Sequence, residues 1–201
     1  MEPAQFSTGG GSGIETDGAY RERLFMAAAS IGCGGTFAGY RYWARTASNL
    51  VADAWPTPAG ANGDINVYVL AQDGEPSQEL VTRVQEVCNS PEVRLINDRV
   101  IALPAIRQEY TIKAEITVYN THDAEAALDK VSVLAHEYAR RQRLKLGQDV
   151  TPTQLLMALS PVGECLYHVN LIKPNNILVV GDNCFPEATE IDITLAGVTD
   201  G

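Results

Sequence analysis

The chain has few of the residues on which metal and redox chemistry depend. Its four cysteines, Cys33, Cys88, Cys165 and Cys184, are scattered through 201 residues, and no two stand at C-x-x-C spacing. That excludes zinc knuckles and thioredoxin-type motifs. The thiols are expected to be reduced and to serve as small core hydrophobes. No apolar run approaches the roughly 18 residues of a membrane span. The opening MEPAQFSTGGGSG lacks the basic-then-apolar order of a secretory signal. Cations are also scarce: 15 Lys and Arg against 25 Asp and Glu give a net charge of −10. A field of that sign opposes polyphosphate, so no nucleic-acid partner is expected.

What is present is an ordinary globular composition, 45% hydrophobic and 20% charged. Residues 1–17 are rich in Gly and Ser and read as a flexible lead-in. A helical segment over 18–49 follows. Its first helix, GAYRERLFMAAAS, is capped by Asp17 and broken by GCGG. Its second is TFAGYRYWARTASN, where Tyr40, Trp43, Ala44 and Ala47 make an i, i+3, i+4, i+7 stripe.

From Leu50 the period changes. LVADAW and INVYVLA read as strands around a Pro- and Gly-rich turn, a helix begins near Pro76 or Ser77, and RVIALPA closes a β-β-α-β unit over 50–106. A second α/β unit over 107–201 opens with EYTIKAEITVYN. Tyr110, Ile112, Ala114, Ile116 and Val118 alternate there with polar residues, which predicts an antiparallel sheet covered on one side. A long helix from about Asp123 to Leu146 should stop at Gly147, and Thr151-Pro152 should start a shorter one. ECLYHVNLI and EIDITLAG supply the closing strands. The expected fold class is α+β: N-terminal helices followed by two small α/β sandwich units with mixed or antiparallel sheets.

Catalytic motifs fail on inspection. VLAHEYARRQR places His136-Glu137 on a helix, but a zinc-protease helix needs a second His where Arg140 stands. The apolar stripe Leu128, Val131, Leu134, Ala135 and Tyr138 turns His136 outward, with Glu125, Asp129, Ser132, Arg140 and Arg143. Cys33 in IGCGGTF sits near a helix start, yet neither His122, His136 nor His168 forms a recognisable partner, so a thiol hydrolase is not supported. The same glycines lack the GK[ST] ending of a phosphate loop. Carboxylates such as Glu22, Asp53 and Asp64 read as turn and cap residues, and Lys113 and Glu115 as a paired or solvated sheet face. Arg140, Arg141, Arg143 and Lys145 complement a helix C-terminus or, alternatively, form a docking patch for an acidic surface.

Several stretches together resemble the baseplate J-like family of contractile-tail phages and R-type pyocins. They are GGGSGIETDGAYRERLFMAA, GGTFAGYRYWARTASNLVADAW, INVYVLAQDGEPSQELVTRVQE, PEVRLINDRVIALPAIRQEYTIKAEITVY, RRQRLKLGQDVTPTQLLMAL and VGECLYHVNLI. The resemblance runs from about Gly9 to Ala196, although family members commonly carry a further N-terminal portion. It implies a structural, non-enzymatic wedge protein that links wedges into a ring around the tail hub and transmits the trigger for sheath contraction. The implied partners are a second copy of the chain, a tail protein I-type wedge subunit, and sheath-initiator or hub proteins, within a virion assembled in the host cytoplasm. No metal, cofactor, small-molecule substrate or membrane is implied. The residues expected at a partner interface are Tyr40, Arg41, Tyr42, Trp43, Arg45, Arg140, Arg141 and Arg143, since Trp, Tyr and Arg are the usual interface anchors. The alternative is a ligand-binding or regulatory ferredoxin-like module, which a pocket with convergent polar groups would favour.

Overall fold

The computed structural model describes residues 35–59 and 63–200, together with 17, 18, 20, 21 and 24, which are helical. The expected lead-in up to residue 16, most of the first expected helix, and Cys33 lie outside the described residues. Asp17 is itself helical, so that helix begins at or before it rather than after it.

Helix α1, Phe37–Thr46, starts at Thr36, whose Oγ1 accepts from the Gly39 amide at 3.1 Å. The expected stripe is its core face: Tyr40, Ala44 and Ala47 are buried and Trp43 packs beside them. Strands β1 (Val51–Pro58), β2 (Asp64–Ala71) and β3 (Arg99–Pro104) form one sheet in that order. The β1–β2 pair is antiparallel, and β2–β3 is parallel across α2, Gln78–Cys88. Ser77 caps α2, accepting from the Leu80 amide at 3.2 Å. Leu80, Val81, Val84 and Cys88 face the sheet, buried against Val67, Val69 and Val100. Pro56 and Pro58 are tolerated because β1 is an edge strand.

In β1 the register shifts between Val51 and Asp53. Strict alternation would put Val51 and Ala54 on opposite faces, yet both enter the same core, and the bulge reconciles them. It also places Asp53 opposite Leu70, on the face turned away from α2 and toward the second sheet.

The chain passes from the first sheet to the second through a single residue, Ala105. Its amide donates to the Val69 carbonyl at 2.9 Å, and the next amide, of Ile106, donates to the Asn183 carbonyl. Strand β4, Ile106–Tyr119, is the centre of the second sheet, flanked by β5 (Leu166–Lys173) and β6 (Cys184–Thr199). Its alternation is as expected, with Tyr110, Ile112, Ala114, Ile116 and Val118 buried. Two helices cover that face: α3, Ala124–Arg143, and α4, Pro152–Leu159. On the other face Lys113 pairs with Glu190 at 3.0 Å, and Asn170 donates to Glu115.

Two expectations are corrected here. The sheet is mixed rather than antiparallel, since β4 runs parallel to β6 over its whole length. Period-two burial reports one-sided coverage and carries no information on strand direction. Helix α3 ends at Arg143, with Leu144 as its cap, three residues before the expected stop. The chain leaves the helix so that Leu146 is buried against Leu70, Ala105 and Phe185 between the sheets. Gly147 then takes φ 64° and donates to the Cys184 carbonyl at 3.0 Å.

Candidate assembly interface

The two sheets meet at an apolar plug of Leu70, Ala105, Leu146 and Phe185, with Ala52 and Trp55 beside it. Polar contacts ring this plug. Asp53, 2% exposed, takes Arg41 in a forked pair, Nε to Oδ1 at 3.0 Å and Nη2 to Oδ1 and Oδ2 at 2.8 and 3.0 Å. It also accepts the Ala54 amide at 2.8 Å and the Leu146 amide at 3.3 Å. Asp53 is therefore not a turn or cap carboxylate. It is a buried anion joining α1, β1 and the segment after α3. Arg143 completes the seam, pairing with Glu187 at 3.0 Å and donating to the Asp73 carbonyl.

Beside the seam lies an open groove of about 700 Å³. Arg41 and Arg45 of α1, Ala52 and Asp53 of β1, Tyr138, Arg141 and Gln142 of α3, and Met157 and Ala158 of α4 line it, together with Leu144, Lys145 and several glutamines. Four cations line this groove and one carboxylate does, and that carboxylate is already engaged by Arg41. Arg141 and Lys145 form no ion pair among the described residues. On the floor, Gln142 is 5% exposed and its Oε1 has no donor. Tyr138 Oη lies near the Gln142 side chain and the Thr151 backbone without an aligned hydrogen bond. Burial raises the Tyr138 pKa, with nearby Arg141 acting in the opposite sense.

The structure divides the residues expected at an interface. Tyr40 is in the core, its hydroxyl donating to Asp98 Oδ2 at 2.7 Å. Arg41 is held by Asp53 and stands 5.9 Å from the Trp55 ring centre. Tyr42 and Trp43 meet edge to face at 5.2 Å, half-buried. Arg45 and Arg141 line the groove, Arg140 points outward, and Arg143 belongs to the seam. Asp53, Tyr138, Gln142 and Met157 were not legible as one site. The single local signal was a charged residue inside the apolar strand LVADAW. His136 is exposed, its Nδ1 2.8 Å from the Ser132 carbonyl of its own helix. Among the described residues no cluster of three His, Cys, Asp or Glu could hold a metal.

Residues 33–104, which hold α1, the whole first sheet and α2, match the Baseplate J-like central domain. Baseplate protein J of Escherichia phage P2 is 28% identical over 185 residues, covering 92% of this chain. The chain spans 60% of that relative's length. A chain in the cryo-EM structure of the anti-feeding prophage baseplate, 6-fold symmetrised, shares the fold with a TM-score of 0.58. That likeness has 15% identity and covers 89% of this chain and 42% of the other.

Proposed function

We infer, for a chain that carries the baseplate J-like central domain at residues 33–104, a structural role in the baseplate of a contractile phage-like tail. The observation that carries this reading is the alignment to phage P2 baseplate protein J along 92% of the chain, well beyond the central domain. The finer proposal is that the chain joins neighbouring wedges into a ring around the tail hub and passes on the trigger for sheath contraction. Its proposed partners are another copy of itself, a tail protein I-type subunit, and hub or sheath-initiator proteins.

Physical support comes from the surface. The two three-stranded sheets leave β1, β3, β5 and β6 as edge strands, and apolar side chains remain exposed at Val133, Tyr167, Ile177, Val179 and Val198. Such edges are liabilities in a lone chain and assets in an assembly. The alternative, a ligand-binding module, draws on one observation: the groove with convergent polar groups.

Co-expression with the tail proteins encoded beside it, followed by native mass measurement and imaging of particles, tests the reading. The expected result is a stable wedge subcomplex and density for this chain in a closed ring at the tail end. A chain that stays monomeric with every tail protein and is missing from purified particles would overturn it.

A further inference from the structure

The groove beside the seam points to a specific occupant: we propose that it docks an extended, acidic polypeptide segment of a partner protein, carrying at least one apolar side chain. This rests on the assembly reading and adds the partner's chemistry and the place where it binds.

Charge distribution is the first ground. Among the residues that line the groove, Asp53 is the single carboxylate beside Arg41, Arg141 and Lys145. With Asp53 neutralised by Arg41, Arg141 and Lys145 face the groove without a counter-charge among the described residues. Arginine forks match carboxylates in a plane and draw them in from solution.

The walls supply the rest. Met157 is 68% exposed, and with Ala158 and Leu144 it offers an apolar seat between the cations. Gln72, Gln148 and Gln154 also line the groove, and their amides donate and accept as a peptide backbone requires. A volume of about 700 Å³ suits a short peptide better than a lone inorganic anion. A nucleic-acid strand would face the net charge of −10.

The test uses the full chain and a fluorescein-labelled octapeptide alternating Asp or Glu with Leu. The controls are the same peptide with Asn and Gln in place of the acids, and citrate as a small-anion competitor. The acidic peptide is expected to bind, and to weaken about tenfold between 50 and 300 mM salt. The doubly substituted chain, Arg141→Glu with Lys145→Glu, should lose at least about tenfold in affinity with its melting temperature unchanged. Lys130→Glu, on the exposed face of α3, should bind as before. Equal binding by the doubly substituted chain, or by the Asn/Gln peptide, overturns the proposal. Displacement by citrate at equimolar concentration overturns it in favour of a small anionic ligand. The same double variant is then offered to assembling particles. If it enters them at the wild-type level the groove has no docking role, while the baseplate reading stands. If the unsubstituted chain is itself missing from particles the baseplate reading fails, and the peptide measurements alone decide the groove.

Discussion

Asp53 and Arg41 form a forked ion pair in which the carboxylate is almost wholly buried and the guanidinium is 29% exposed. Their positions follow from the bulge in β1, which turns Asp53 toward the second sheet, and from the α1 stripe, which leaves Arg41 beside the buried Tyr40 and Ala44. Because Asp53 also accepts the Leu146 amide, the pair couples the first unit to the segment after α3.

Asp53→Asn keeps the shape and removes the charge, so Arg41 loses its counter-ion and one acceptor of the fork becomes a donor. Breaking a fully buried pair costs about 3–5 kcal/mol, and the partial exposure of Arg41 lowers this to about 2–3 kcal/mol. The urea midpoint should fall by about 1 M. Arg41→Met placed on top of Asp53→Asn should cost less than the sum of the single changes. Simple additivity in that cycle would show that the two side chains do not act as a pair.

Alkaline pH should unfold the chain before it ionises the buried phenols. Burial holds the pKa values of Tyr40 and Tyr110 above the ordinary value of 10.0, and Asp98 reinforces the effect at Tyr40. Burial pushes the Cys88 thiol up to about 12. Each group is neutral when protonated, so a raised folded-state value favours the fold at any pH below the unfolded-state value. That contribution disappears as pH rises from the unfolded value toward the folded one. For the tyrosines the loss begins near pH 10, and for Cys88 a little earlier, near pH 9. Absorbance at 295 nm should therefore rise in two steps, the second coinciding with loss of the circular dichroism signal. A single step near pH 10 with secondary structure intact would contradict the burial described for these side chains.

Sequence was most informative where burial is one-sided and local. The alternation in β4 and the stripes of α1 and α3 each register a single buried face within one element, and each matches the structure. Features set by distant partners left no such trace. The parallel β4–β6 pairing and the meeting of Asp53 with Leu146, 93 residues apart, depend on how the sheets dock. Strand β6 begins at Cys184, ahead of the expected EIDITLAG, because Pro186 reads locally as a break and is tolerated on an edge. The groove draws on α1, β1, α3 and α4, so no window of sequence contains it. The basic run at the end of α3 was legible as a run, but its division into the groove-lining Arg141 and Lys145, the outward Arg140 and the seam residue Arg143 was not.

Ile112 and Leu195 contrast the centre of the helix-covered face of the second sheet with its edge, since Leu195 pairs with the buried Ile116 on that same face. Ile112 is 0% exposed, whereas Leu195 on β6 is 42% exposed. Ile112→Ala should cost about 2–5 kcal/mol, because the lost transfer energy is increased by the cavity left beneath α3 and α4. Leu195→Ala should change stability by less than about 0.5 kcal/mol in the isolated chain. Chemical denaturation of both variants checks the contrast, and comparable losses would mean that the core beneath the helices extends over Leu195 at the sheet edge.

Gly74 and Arg143 provide the last test, of the seam. Gly74 sits at φ 110°, where an L side chain is strained. A methyl group there would stand 2.5 Å from Arg143 Nη2, so the guanidinium must move away from the Asp73 carbonyl. The arginine is flexible and can withdraw, which leaves backbone strain as the larger cost. Gly74→Ala should therefore destabilise by about 1–3 kcal/mol. Removing the arginine first, as Arg143→Ala, should relieve the steric part of that cost and leave the backbone part. Double-mutant denaturation should thus give a smaller Gly74→Ala penalty in the Arg143→Ala background than in the wild type, but not zero. An unchanged penalty would mean that Arg143 does not pack over Gly74. A vanished penalty would mean that the turn tolerates a side chain at this φ.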